Sequence, residues 1–88
     1  MTERLNTTSA TAESAVFTPG GEFYVQVSAA DPLTTFSVIA RVDGNADWVE
    51  VDTLTITRPI ANFSALPFVK IAVKNNLNQA TAKAWSNP

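Results

Sequence analysis

Apolar and polar residues alternate along three long stretches of the chain. In "FYVQVS", Phe23, Val25 and Val27 alternate with Tyr24, Gln26 and Ser28. In "TTFSVIARV", Phe36, Val38, Ala40 and Val42 alternate with Thr35, Ser37, Ile39 and Arg41. In "FVKIAVK", Val69, Ile71 and Val73 alternate with Phe68, Lys70, Ala72 and Lys74. A period of two places one set of side chains in a core and the other on the opposite face, so each stretch predicts a strand. Shorter strands are expected at Ala15 to Thr18, Trp48 to Val51, Leu54 to Thr57 and Thr81 to Ser86. The alanine-rich end reads as a strand because Ala80, Ala82 and Ala84 alternate with Thr81, Lys83 and Trp85.

Turn residues separate these stretches. "TPGGE", "AADPL", "DGNAD" and "KNNLNQ" supply the Gly, Pro, Asn and Asp that tight turns use. The segment from Thr57 to Pro67 reads as a longer crossover between sheets. Short strands with frequent turns and no helical stripe predict an all-β fold, an antiparallel β-sandwich of about seven strands. Residues 1–12, rich in Thr, Ser and Ala, are expected to form an extended N-terminal arm, with residues 13–88 forming the sandwich domain.

With 88 residues, the chain supports one small domain that buries roughly 60–65% of its unfolded surface. Its composition includes no cysteine and no histidine, which removes disulfides and the usual zinc ligands as sources of stability. Association with other subunits is the remaining common source, so a homo-oligomer is expected, a trimer being one arrangement. A net charge of −2, with the six basic residues scattered, argues against nucleic-acid binding. The chain contains no apolar run of membrane-spanning length. Its polar start lacks the apolar core of a secretory signal, and the expected place of synthesis is the cytoplasm.

Candidate chemistry centres on "DGNADW". A calcium loop of the EF-hand type needs glycine at its sixth position and glutamate at its twelfth. Counted from Asp43, those positions hold Trp48 and Leu54. A looser calcium site from Asp43, Asn45 and Asp47 is the minor alternative, and the favoured reading is a turn in which Asp43 bonds the backbone and Gly44 or Asn45 takes positive φ. Neither a metal nor a cofactor is expected, and a small-molecule ligand is disfavoured. Histidine bases, cysteine nucleophiles and phosphate-binding glycine loops are all lacking, and the carboxylates sit in turns or alternate along one strand. The chain is therefore expected not to be an enzyme.

The aromatics carry more information. Tyr24, Trp48 and Trp85 all fall on polar positions of their strands, as Arg41 does. Aromatic groups directed outward suit a subunit interface, a cap on the core, or a sugar-stacking platform at Trp48. In the arm, Arg4 and Leu5 are the expected contacts to a neighbouring subunit.

The stretch "FSVIARVDGNADWVEVDTLTIT" resembles the small β-sandwich proteins of tailed-bacteriophage particles. In those proteins a strand ending in Arg or Gln leads into "DGG-x-x-W-x-x-V". Arg41, Asp43, Gly44, Trp48 and Val51 occupy similar places here, and "FVKIAVKN" resembles the strand after the crossover. The resemblance spans about half the chain; the turn differs in having a single glycine, and the arm is unusually bare. It implies a non-enzymatic structural protein of the virion, a capsid decoration or cement protein bridging subunits of the major capsid protein or other virion proteins. The alternatives are a neck, tail or fibre-associated component and a small carbohydrate-binding β-sandwich module.

Overall fold

In the computed structural model, residues 1–87 are described; Pro88, the last residue of the expected sandwich domain, lies outside them. Eight strands follow in order: β1 (Thr2–Thr7), β2 (Ala12–Glu13), β3 (Phe23–Ala29), β4 (Thr35–Arg41), β5 (Val49–Leu54), β6 (Ile60–Phe63), β7 (Phe68–Lys74) and β8 (Ala82–Asn87). They form two four-stranded antiparallel sheets, ordered β1-β8-β3-β6 and β2-β7-β4-β5. Pairing joins β1 to β8, β2 to β7, β3 to β6 and β4 to β5, as though one long hairpin had been rolled into two layers. That is the strand order of a jelly roll, an all-β sandwich.

The alternation fixes which residues fill the space between the sheets. The first sheet contributes Leu5, Phe23, Val25, Val27, Ala61, Ala82 and Ala84, and the second contributes Phe36, Val38, Ala40, Leu54, Val69, Ile71 and Val73. Large and small residues complement each other across the gap. β8 is a central strand with alanines facing inward, which leaves room for Phe23 and Phe36, both fully buried. Phe23 stacks on Phe63 with ring centroids 5.3 Å apart and meets Phe17 edge-on at 6.2 Å.

Residues 1–12 do not form an arm outside this sandwich. They supply β1 and the start of β2, and Leu5 is a core residue. The polar composition that suggested an arm suits an edge strand, of which only one alternate residue needs to be apolar. A register shift between Glu3 and Leu5 makes Arg4 an extra residue. Arg4 turns back on its own domain, with Nε 2.7 Å from Ser86 Oγ and the guanidinium 4.0 Å from the centre of the Phe17 ring.

Two expected boundaries move for local reasons. In place of a strand from Ala15 to Thr18, pairing occurs at Ala12–Glu13 and again at a single bridge from Phe17 to Val69. Between them Ser14 Oγ accepts the Ile71 N–H, so a side chain replaces a backbone carbonyl and breaks the ladder. The two short strands around Asp52 are one strand, β5, closed by a turn in which Thr55 and Arg58 bridge. The expected crossover contains β6, a four-residue strand bracketed by Pro59 and Pro67.

Candidate interaction surface

The acidic residues of β5 are engaged in structural bonds. Glu50 Oε1 accepts from Ser37 Oγ at 2.8 Å and from Thr53 Oγ1 at 2.6 Å. These bonds stabilise the charged form and hold the Glu50 carboxyl below its ordinary range. Asp52 receives two bonds of 2.8 Å from the Arg58 guanidinium, and this paired donation lowers its value as well. Both are ionised acceptors, locked to neighbours within the same sheet edge. Among the described residues no three acidic side chains converge as metal ligands would.

The DGNADW segment is a turn. Asn45 N donates to Asp43 Oδ1 at 2.8 Å, and Ala46 N donates to Asp43 O at 3.0 Å. Neither Gly44 nor Asn45 takes the expected positive φ; among the described residues that conformation belongs to Gly20, Asn75 and Gln79. The connection from Arg41 to Val49 is too long to require the mirror-image turn of a two-residue hairpin, so an Asx turn suffices.

Arg41 and Trp48 meet on the outer face of the second sheet. The Arg41 guanidinium lies 4.4 Å from the Trp48 ring centre and 5.6 Å from that of Phe68. Lys70 Nζ lies 4.6 Å from the same indole and 3.2 Å from Glu13 Oε2. Trp48 is therefore half-buried under two cations, and the buried Arg41 Nε has no hydrogen-bond partner among the described residues. Cation–π contact replaces a carboxylate as the support for this charge.

Tyr24 and Trp85 lie on the opposite side of the molecule. Trp85 pairs with Gln26 and Tyr24 with Asn87, which makes the two aromatics diagonal neighbours on the outer face of the first sheet. Tyr24 is exposed and Trp85 half-buried. The outward aromatics thus form two groups, and Arg4 and Leu5 join neither, because both serve the internal packing of the sandwich.

Substantially exposed apolar ground lies where the sequence expected core. Val49 pairs with inward-facing Ala40, yet is 59% exposed; Val51, left unpaired by a register shift, is 44% exposed. With Ala40, Val42, Ala46 and Leu66 they line a groove of about 230 Å³, at whose rim lie Arg41 and Asp47. Its cause is topological. β5 and β6 are the edge strands of their sheets on the same side of the sandwich, and β6 ends after four residues. Among the described residues, Leu66, in the turn after β6, is the only one lining the groove from outside β4, β5 and the turn between them. Ile56, in the β5–β6 turn, is 41% exposed; Ile60, 54% exposed, pairs with Gln26 and faces outward from the first sheet, beside Tyr24.

Sequence reasoning missed this surface because alternation reports which way a side chain points, not whether anything covers it. The available signal was the density of β-branched apolar residues from Val42 to Ile60, greater than one short edge strand can bury. Compared with known proteins, the chain matches no family model and no curated protein.

Proposed function

We propose that this domain is a non-enzymatic structural protein of a bacteriophage virion, a capsid decoration or cement module that bridges subunits of the shell. The observation that carries the reading is the uncovered side of the sandwich: Val42, Val49 and Val51 are all substantially exposed and line one groove. Contiguous apolar ground on so small a domain suits a protein contact. The resemblance of Phe36 to Thr57 to small virion proteins supplies the class of partner. A bridging module needs more than one contact, and the Tyr24–Trp85 face, on the outside of the first sheet, provides a second, apart from the groove formed by β4, β5 and their turn. Many weak contacts repeated by shell symmetry then act together.

The carbohydrate alternative is less well supported at Trp48, because Arg41 and Lys70 already engage the ring that a sugar would need. Co-sedimentation of the purified chain with phage shells tests the proposal. Binding is expected, and Val49→Asp with Val51→Asp should weaken it by at least about tenfold, a loss of roughly 1.4 kcal/mol or more. Binding to tails or fibres with none to shells would move the module elsewhere in the virion, and binding to no virion part would overturn the reading.

A further inference from the structure

We propose that β6 is the pairing edge of a symmetric homodimer, in which two copies of this chain join their first sheets into one continuous eight-stranded sheet. This rests on the reading of the domain as a docking module and concerns the free backbone edge of β6, leaving the groove of Val42, Val49 and Val51 to the shell.

The four sheet edges are not alike. β1 carries Glu3 and Arg4 and is distorted by a register shift between Glu3 and Leu5. β2 is two residues long, with Glu13 tied to Lys70. β5 carries Glu50 and Asp52, and Val51 is left out of its ladder. Charges, bulges and brevity are the devices that keep an edge from pairing with another chain. β6 has none of the first two: it reads Ile-Ala-Asn-Phe, pairs with β3 in unbroken register, and is uncharged.

Its free backbone groups are self-complementary. Pro59 O accepts from Val27 N at 2.8 Å, so residues 59, 61 and 63 direct their polar groups toward β3. Ile60 and Asn62, one position out of phase, direct an N–H and a C=O away from the sheet. A second β6, antiparallel and centred on Ala61, sets Ile60 against Asn62 of the partner subunit and the reverse, so both residues exchange N–H and C=O bonds across a two-fold axis. Ala61 meets Ala61 of the partner subunit on the inner face, where a small side chain permits close approach. Pro59 lacks an N–H only on the side that faces β3, so it does not interrupt the new ladder. The side chain of Ile60, 54% exposed on the outer face of the first sheet, gains cover from Asn62 of the partner subunit.

Sedimentation equilibrium of the full chain, at concentrations well above about 10 µM, where a micromolar dimer is populated, gives the test. The wild type should have the mass of two chains. Ile60→Lys, at an exposed position, and Asn62→Pro, which removes an outward N–H, should each give one chain with an unchanged circular dichroism spectrum. Asn6→Lys on the opposite edge should leave the dimer intact. If Asn62→Pro fails to fold, the mass of Ile60→Lys decides. A monomeric wild type, a dimer untouched by Ile60→Lys, or a dimer lost on Asn6→Lys would each overturn the proposal. A monomer that still binds shells would refute the dimer and leave the virion role standing, whereas a dimer that binds no virion part would do the reverse.

Discussion

Asn76 is completely buried in the turn after β7, and its side chain ties together three separate segments. Oδ1 accepts from Thr34 Oγ1 at 3.2 Å, while Nδ2 donates to Ser9 O at 3.0 Å and Ala80 O at 2.7 Å. Alanine at this position leaves the buried Thr34 hydroxyl without its partner and removes the bonds to Ser9 and Ala80, and should cost about 2–3 kcal/mol in urea denaturation, whereas Asn78→Ala, at an exposed site with one bond to Asp31, should cost well under half as much. The preceding Asn75 takes φ of 60°, a conformation asparagine tolerates better than most residues. The string "KNN" announces a turn, but nothing in it distinguishes the exposed asparagine from the buried one. A similar limit applies to Trp48. Its outward parity was readable, whereas its two cations come from β4 and β7. A double-mutant cycle of Arg41→Gln and Trp48→Phe should give a coupling of about 0.5–1 kcal/mol.

β1 shows how an element can hide its role. Its six residues contain one apolar side chain, Leu5, which suffices because β1 is an edge strand whose outer face meets solvent. Deleting residues 1–12 should therefore abolish cooperative thermal unfolding, since it strips β8 of a partner and removes Leu5 from the core; Leu5→Ala alone should cost about 2–4 kcal/mol. β5 yields a prediction with pH. Hydrogen bonds from Thr53 and Ser37 lower Glu50 from an ordinary 4.5, and Arg58 lowers Asp52 from an ordinary 3.8. The stabilisation is complete above those ordinary values and is lost as pH falls below them, through the lowered folded values. Melting temperature should decline on acidification past about pH 4, and Thr53→Val should flatten the part due to Glu50. An unchanged acid profile in that variant would show that the Thr53 bond does not set the Glu50 titration.

At the scale of the whole molecule, eight short strands make a sandwich with closed cores at the centre and one uncovered flank. Three alternating stretches in the sequence supplied β3, β4 and β7, together with most of the inward-facing aliphatics, and Asp43, Pro32 and Asn75 marked their connections. The all-β class and the two-layer architecture follow from that alternation, because a strand with one apolar face must set it against another layer. β6 was not legible: four residues between prolines have no periodicity to read, and their pairing comes from β3, more than thirty residues away in sequence. The order of strands was also beyond the sequence, since alternation is the same for a central strand and an edge. Tertiary structure alone decided that Arg4 folds back onto Phe17, that Tyr24 and Trp85 share one face while Trp48 lies on the other, and that Val49 and Val51 point inward with too little above them. The periodicity of a chain sets the direction of each side chain locally, whereas cover is a property of what other segments bring to the same place.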